Sequence, residues 1–169
     1  NVRTAVAGSI CAKYLAPNKV TKIGIIGTGI QARLQLKYIK YITRCVDVMV
    51  LGRDSKKIND YIEDMRKEGF NLELANNSKQ LCESCNLVVT TTSANESLIE
   101  KSDIKPGTHI TAVGSDTPEK RELDTDILGL ANLVVVDSVS QCVERGETKY
   151  ALEKNIINRS DLVELGDII

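Results

Sequence analysis

Residues 22–32 read KIGIIGTGIQA and join a predicted apolar strand to a predicted helix through two glycines. Gly27 permits a tight turn, Gly29 lets a pyrophosphate approach the backbone, and Ala32 lets the helix pack close to the strand. The amino end of that helix offers N–H groups and a positive dipole end to phosphates. The glycines alone would also suit an ordinary turn, but the flanking strand and helix favour a dinucleotide site. We predict that the cofactor is bound by Gly27, Thr28, Gly29, Ile30 and Gln31.

The rest of the chain alternates short β-rich runs with helical patterns. This alternation predicts a Rossmann-type α/β fold, doubly wound, with a mostly parallel sheet and helices on both faces. The strands are predicted at Lys22–Ile26, Val46–Leu51, Leu72–Ala75, Leu87–Thr91, Thr108–Val113 and Leu133–Val136.

Helix start and stop signals divide the segments between these strands. Asp54 or Ser55 and Ser78 are expected as N-caps, and Gly69 is expected to end a helix. An N-terminal helix is predicted over Arg3–Ala16, where Pro17 stops it. The other helices are predicted at Gln31–Thr43, Ser55–Glu68, Ser78–Ser84, near Thr125–Leu130 and from Asp137 to about Glu144, before a loop around Gly146. The tail, Ser160–Ile169, is predicted to be a short helix or an extended segment.

Composition limits the classes of function. The chain has 169 residues, of which 42% are hydrophobic, and a net charge of −1. This balance gives no reason to expect nucleic-acid binding, and no apolar run approaches the length of a membrane span. Five cysteines, an odd number, favour reduced thiols and a cytoplasmic protein. Since no linker is visible, residues 1–169 are interpreted as one NAD(P)-binding Rossmann domain.

The chain is also expected to be part of a longer protein. It begins within a predicted helix and ends on Ile168-Ile169 without a polar closure. A dinucleotide-binding domain rarely holds a whole substrate site, because the substrate usually lies between it and a second domain. We therefore expect a separate substrate domain that is absent from this chain.

The end of the second predicted strand bears on the choice between NAD and NADP. An enzyme that prefers NAD usually places an acidic residue there, which binds the ribose 2′-hydroxyl. This chain has Gly52 at that position, followed by Arg53, so there is room and a cation for a 2′-phosphate. Alternatively, Arg53 is a solvated turn residue and Asp54 binds the ribose or caps the next helix. We predict NAD(P) as the cofactor, with a preference for NADP through Arg53.

A second group of candidates follows the strand within residues 106–116, PGTHITAVGSD. The carboxyl ends of strands line the ligand crevice in doubly wound sheets, so Asp116 is placed to face the nicotinamide and a substrate amine. A turn aspartate that caps the next segment is an equally good explanation from the residues alone. Thr91, Val113 and Gly114 lie at predicted strand ends and are expected to contact the cofactor, although threonine also simply suits a strand.

Two further motifs are weaker. Cys82 and Cys85 have the spacing of a metal or redox pair, but no second pair accompanies them, so we predict no metal site. His109 is the only histidine and begins an apolar strand. A packed or hydrogen-bonded histidine is therefore favoured over a catalytic one.

Seven motifs recur in one order along the chain. They are Arg3-Thr4-Ala5, GTGIQAR at 27–33, PGTHITAVGSD at 106–116, Glu122-Leu123-Asp124, Val136-Asp137, Gln141 and Gly146-Glu147. Together they resemble the ornithine cyclodeaminase/mu-crystallin family, and PGTHITAVGSD is far more specific than the glycine turn. The resemblance covers essentially the whole chain but only the cofactor-binding half of the family fold.

The resemblance assigns roles to three residues. It implies that Arg3 binds the substrate α-carboxylate, which a guanidinium can grip with two hydrogen bonds. Thr4 matches a residue near the cofactor phosphates. Asp116 matches the acidic residue that holds the substrate amine and acts in proton transfer. Glu119 departs from the glycine that cyclodeaminases often have, which leaves the substrate open.

The activity implied is hydride transfer at the α-carbon of an amino acid, through an imine, as in ornithine cyclodeaminase. An NADPH-dependent ketimine or imine reductase and an alanine-dehydrogenase-like enzyme are alternatives. A non-catalytic, ligand-binding protein like mu-crystallin is an alternative of another class, although the aspartate at 116 favours an enzyme. The expected partners are a small amino acid or imine and, in the full-length protein, a second copy in a homodimer. The chain alone is expected to be inactive.

Overall fold

A five-stranded parallel sheet in the order β3-β2-β1-β4-β5 lies at the centre of the computed structural model, which describes residues 1–115 and 117–169. The strands are β1 (Ile23–Ile26), β2 (Asp47–Leu51), β3 (Asn71–Leu74), β4 (Leu87–Thr90) and β5 (His109–Ala112). The order runs outward from β1 to β3 and then returns to β4, so β1 and β4 flank the switch point where such sheets bind ligands. The predicted doubly wound α/β fold is confirmed.

Helices cover both faces of this sheet. They are α1 (Val2–Leu15), α2 (Ile30–Ile39), α3 (Ser55–Lys67), α4 (Ser78–Ser84), α5 (Asp126–Leu130), α6 (Val139–Cys142) and α7 (Glu147–Glu153). None of the helices in the described residues is both long enough and apolar enough to cross a bilayer.

Each face of the sheet has its own apolar core, because successive strand residues point to opposite faces. On one face, Ile25 shares a buried cluster with Leu36 of α2 and Tyr61 of α3. On the other face, Val88 shares a second cluster with Leu81 of α4. Burial on both faces explains why the inner strands β1, β2 and β4 read as nearly continuous apolar runs in the sequence.

Most predicted helix ends are right to within a few residues. Asp54 caps α3 by accepting a hydrogen bond from Lys57 N at 2.9 Å, and Gly69 follows that helix with φ +94°. The N-cap of α4 is Asn77, which accepts from Gln80 N, and not Ser78 as predicted. An asparagine oxygen reaches the first-turn N–H groups as well as a serine hydroxyl does, so the two neighbouring candidates compete.

The C-terminal part departs further from the prediction. The apolar run expected to be the sixth strand of the sheet is β6 (Val134–Val136), which instead pairs in parallel with β7 (Leu162–Glu164) in a separate two-stranded sheet. Helix α7 occupies the segment after Gly146, where only a loop was predicted. Both errors concern short elements of seven residues or fewer, for which tertiary contacts decide more than local pattern.

Candidate functional site

The glycine turn after β1 has a shape that only glycine permits at one position. Gly27 has φ +113°, and a Cβ there would lie 2.5 Å from Thr91 Oγ1. The turn is also tied to the neighbouring strand, because Gly27 N donates to Leu51 O at 2.8 Å. A non-glycine residue at 27 would therefore be strained by its backbone and by its neighbour.

Gly29 faces open space at the amino end of α2. No heavy atom among the described residues lies within 4 Å of a Cβ built at this position, and the next residue, Ile30, is 66% exposed. Gly29 is the N-cap of α2, and no side chain in the described part of the chain caps this helix. The first-turn N–H groups are thus left for another acceptor, as at an anion-binding helix end.

Arg33 holds the glycine turn from the opposite side. Its Nη1 donates to Thr28 O at 2.5 Å and lies 3.4 Å from Gly29 O. The guanidinium is itself fixed by Asp64, with Nε–Oδ2 and Nη2–Oδ2 distances of 3.0 and 2.9 Å, and it stacks on the Tyr61 ring. In a trans peptide the N–H points away from the C=O. Carbonyls held towards Arg33 therefore direct the N–H groups that follow them towards the open side.

The first turn of α1 lies beside the first turn of α2. Gln31 Nε2 donates to Asn1 O at 3.0 Å, and Gln35 Nε2 donates to Thr4 O at 3.2 Å. A Cβ at Gly8 would lie 2.4 Å from Gln35 Oε1, so glycine permits this close packing. The exposed Arg3 and half-buried Thr4 are thereby brought to the same edge of the molecule as the glycine turn.

The end of β2 gives a mixed result for the residues predicted to select NADP. Arg53 is exposed and makes no hydrogen bond or ion pair within residues 1–115 and 117–169. Asp54 is engaged as the α3 cap. The room that Gly52 was expected to leave is filled, since a Cβ there would lie 2.9 Å from Ile58 Cγ1 and 3.0 Å from Thr28 Cγ2. Gly52 therefore serves close packing of the strand end.

At the carboxyl ends of β4 and β5, the fully buried carboxylate of Glu122 accepts hydrogen bonds from three donors. Glu122 Oε2 accepts from Thr90 Oγ1 at 2.7 Å and from Gly114 N at 2.9 Å, and Oε1 accepts from Thr92 N at 2.5 Å. Burial raises the pKa of the Glu122 carboxyl, and the hydrogen bonds from Thr92, Thr90 and Gly114 oppose that rise.

A second carboxylate, the half-buried Glu147 in the first turn of α7, supports the first. It accepts from Ser115 Oγ at 2.5 Å, from Glu122 N at 2.7 Å and from Leu123 N at 3.1 Å. Burial raises the pKa of the Glu147 carboxyl as well, and the hydrogen bonds that this carboxylate accepts oppose that rise. The segment between Ser115 and Leu123 is thus held at both ends by one side chain. Asp116 lies in this segment and outside the described residues.

The remaining strand-end candidates make backbone contacts within the sheet. Thr91 N and Oγ1 both donate to Ile26 O, at 2.9 and 3.3 Å, which places this side chain under the glycine turn. Val113 N donates to Thr90 O at 3.0 Å. Their contact with a cofactor stays a prediction.

Cys82 and Cys85 are buried, and His109 is half-buried. Burial raises the pKa of the Cys82 and Cys85 thiols to about 12 each, and no cluster of three metal ligands occurs in the described residues. Burial lowers the pKa of His109 to about 4, and its Nε2 lies 3.0 Å from Thr111 Oγ1. The expectation of a packed, hydrogen-bonded histidine is confirmed.

Arg33, Glu122 and Glu147 are not among the site residues predicted from the sequence. All three lie in the motifs that carried the family resemblance, and that resemblance was the signal that could have identified them.

A family model for the ornithine cyclodeaminase/mu-crystallin family matches residues 1–169, the whole chain. The chain belongs to this family.

Similarity to individual proteins and to solved structures supports this membership. The alanine dehydrogenase of Archaeoglobus fulgidus is 34% identical over 173 residues, which is 100% of this chain and 52% of that protein. An archaeal alanine dehydrogenase dimer with bound NAD superposes with a TM-score of 0.90 at 31% identity, covering 98% of this chain and 51% of that one. The Δ1-pyrroline-2-carboxylate reductase of Thermococcus litoralis, with NADH and L-proline, gives 0.93 at 28% identity, covering 98% and 52%. The chain spans about half the length of the curated relatives it matches.

Proposed function

We propose that this chain is the NAD(P)-binding domain of an ornithine-cyclodeaminase-like enzyme that acts at the α-amine of an amino acid. The observation that carries the proposal is the amino end of α2, where no side chain in the described residues caps the helix and a Cβ at Gly29 would meet open space. The fit to a dinucleotide is good, because a pyrophosphate needs both bare backbone and N–H donors. Relatives crystallised with NAD or NADH support the same assignment.

Residues of this chain would bind the cofactor and the substrate and would transfer a proton. The N–H groups at the amino end of α2 bind the pyrophosphate, and Arg33 keeps them facing it. Arg3 grips the substrate carboxylate, with Thr4 near the phosphates. Asp116 holds the substrate ammonium and accepts its proton as the imine forms. A bound nicotinamide supplies the hydride exchange at the substrate α-carbon.

A complete site requires more than this chain. We propose that a second domain completes the substrate pocket and that the full-length protein is a homodimer, as the archaeal alanine dehydrogenase is. The chain alone is then catalytically silent, because Arg3 and Asp116 leave much of a zwitterionic substrate solvated and poorly oriented. The five cysteines are unpaired, which supports a reducing, cytoplasmic location.

The preference for NADP rests on Arg53. A charge-assisted contact to the 2′-phosphate contributes roughly 1.5–3 kcal/mol, which is about one to two orders of magnitude in affinity. Replacing Arg53 with alanine is expected to weaken NADPH binding by about 10- to 100-fold and to leave NADH binding nearly unchanged. Isothermal titration of both cofactors into both forms measures this. A wild-type chain that binds NADH more tightly than NADPH contradicts the preference.

The reaction is tested by turnover of the full-length protein with three substrate sets: ornithine with NAD⁺, alanine with NAD⁺, and a cyclic ketimine with NADPH. We expect cyclisation of ornithine with release of ammonia. Activity confined to the ketimine would favour the imine reductase, which Arg53 also suits. Tight ligand binding without any turnover would instead identify a binding protein of the mu-crystallin kind.

A further inference from the structure

The two ends of a bound dinucleotide would lie over different strands of this sheet. The pyrophosphate belongs at the turn after β1, and the ribose of the adenosine half belongs at the end of β2, next to Gly52 and Arg53. The sheet order β3-β2-β1-β4-β5 then leaves the ends of β4 and β5 for the nicotinamide half. This placement rests on the proposed function.

The ends of β4 and β5 are joined by a side chain as well as by the strand ladder. Ladder pairing ends at Thr90 and Ala112, and Val113 N still reaches Thr90 O. Beyond that point the Glu122 carboxylate joins the two strands. It accepts hydrogen bonds from Thr92 N on the extension of β4 and from Gly114 N on the extension of β5.

Gly114 makes this bridge possible. A Cβ at that residue would lie 2.2 Å from Thr92 O and 2.6 Å from Glu122 Oε1, so only glycine allows the carboxylate between the two extensions. Gly146, with φ +77°, similarly permits the turn that brings Glu147 under Ser115 and Glu122. Tyr150 of α7 adds a hydrogen bond from its hydroxyl to Pro118 O at 2.9 Å.

We propose that Glu122 is a positioning residue that fixes the nicotinamide end of the cofactor site by bridging the ends of β4 and β5. It touches neither cofactor nor substrate in this role. Glu147 holds the Glu122 backbone and closes the segment from Ser115 to Leu123, so the two carboxylates form one support beneath that edge of the crevice.

The chemistry of the bridge explains why a carboxylate is needed. Three donors converge on two oxygens, and a carboxylate accepts at both. An amide at the same place turns one accepting oxygen into an NH₂ group, which faces a donor and leaves a buried N–H unsatisfied. Glu122→Gln should therefore loosen the two strand ends, and Thr90→Val should do so more mildly, because it removes one donor and keeps the β-branched shape.

Binding of whole and truncated cofactors separates the two ends of the site. Calorimetry would compare NADH with ADP-ribose, and NADPH with 2′-phospho-ADP-ribose, in wild type, Glu122→Gln and Thr90→Val. Asp103→Asn is the matched control, since Asp103 is also a buried carboxyl that accepts a backbone N–H, from Glu100, at the other end of the β4–β5 connection. Thermal melting would establish that each variant is folded.

The expected result is a loss confined to the nicotinamide-containing ligand. We expect Glu122→Gln to weaken binding of the intact cofactor about tenfold, and Thr90→Val about threefold, with the truncated ligands within about twofold of wild type, as for losses of roughly 0.6–1.4 kcal/mol. Asp103→Asn should change neither. If Glu122→Gln does not fold, Thr90→Val decides the question by the same comparison.

Two outcomes overturn the inference while the proposed function stands: equal losses for intact and truncated ligands, or no loss for either in folded variants. Equal losses would mean a general structural role. A wild-type chain that binds none of the four ligands would instead contradict the proposed function itself.

Discussion

Replacing Asp116 with asparagine in the full-length protein is expected to lower turnover by about two to four orders of magnitude and to leave cofactor affinity within about threefold. Asparagine keeps the size of the side chain but removes its charge and its basicity. An amide cannot anchor the substrate ammonium by charge, and it cannot take the proton that leaves as the amine becomes an imine. The variant therefore separates chemistry from cofactor binding.

Turnover and melting temperature need to be measured on the same preparation. A turn residue without a catalytic role would lose stability and keep its turnover number, whereas the proposed role predicts the reverse. Asp126→Asn is a suitable control, because Asp126 is an exposed carboxylate whose ion pair with Lys101 spans 3.7 Å at the surface. Near-normal turnover in folded Asp116→Asn would remove this residue from the mechanism and favour the binding protein.

Replacing Gly29 with valine is expected to reduce dinucleotide affinity by about 100-fold or more, with the melting temperature lowered by only a few degrees because valine is a poorer N-cap than glycine. The backbone at Gly29 is extended, with φ −81° and ψ −169°, which valine adopts without strain. A Cβ there meets no protein atom within 4 Å among the described residues. The added side chain would instead occupy the space that a pyrophosphate needs, at a cost of about 2.7 kcal/mol for 100-fold.

Two other glycines give matched controls for this substitution. Gly166→Val adds the same side chain where a Cβ also meets nothing within 4 Å, and it should change neither binding nor melting temperature. Gly27→Val should lower the melting temperature strongly, because of φ +113° and the 2.5 Å approach to Thr91 Oγ1. Unchanged affinity in Gly29→Val would show that the ligand does not approach this turn.

Local features of the fold could be predicted from the sequence where the residues that determine them lie within one short segment. The glycine turn is such a case, since an apolar strand, two glycines and a helix follow one another within 11 residues. The Asp54 cap and the Gly69 stop are likewise set by neighbours three or four residues away. The three inner strands of the main sheet, β1, β2 and β4, are buried on both faces, which makes them visible as apolar runs.

Features that depend on distant partners could not be predicted in this way. Nothing near Val134–Val136 indicates that this strand pairs with Leu162–Glu164 and not with the main sheet. Glutamate is typical of protein surfaces. The burial of Glu122 depends on donors at Thr90, Thr92 and Gly114, which are between 8 and 32 residues away in the sequence. Glutamate is almost never fully buried unless it is paired, so a single sequence favours the wrong environment for it.

In the proposed complex, a dinucleotide binds with its pyrophosphate at the amino end of α2. An amide NMR titration of the ¹⁵N-labelled chain, 18.5 kDa in mass, with NADH and with NADPH tests this residue by residue. We expect saturable shifts that are largest at the backbone amides of residues 29–31, since these N–H groups face the phosphates. Saturation with no change at these amides, or with changes confined to a different part of the chain, would contradict it.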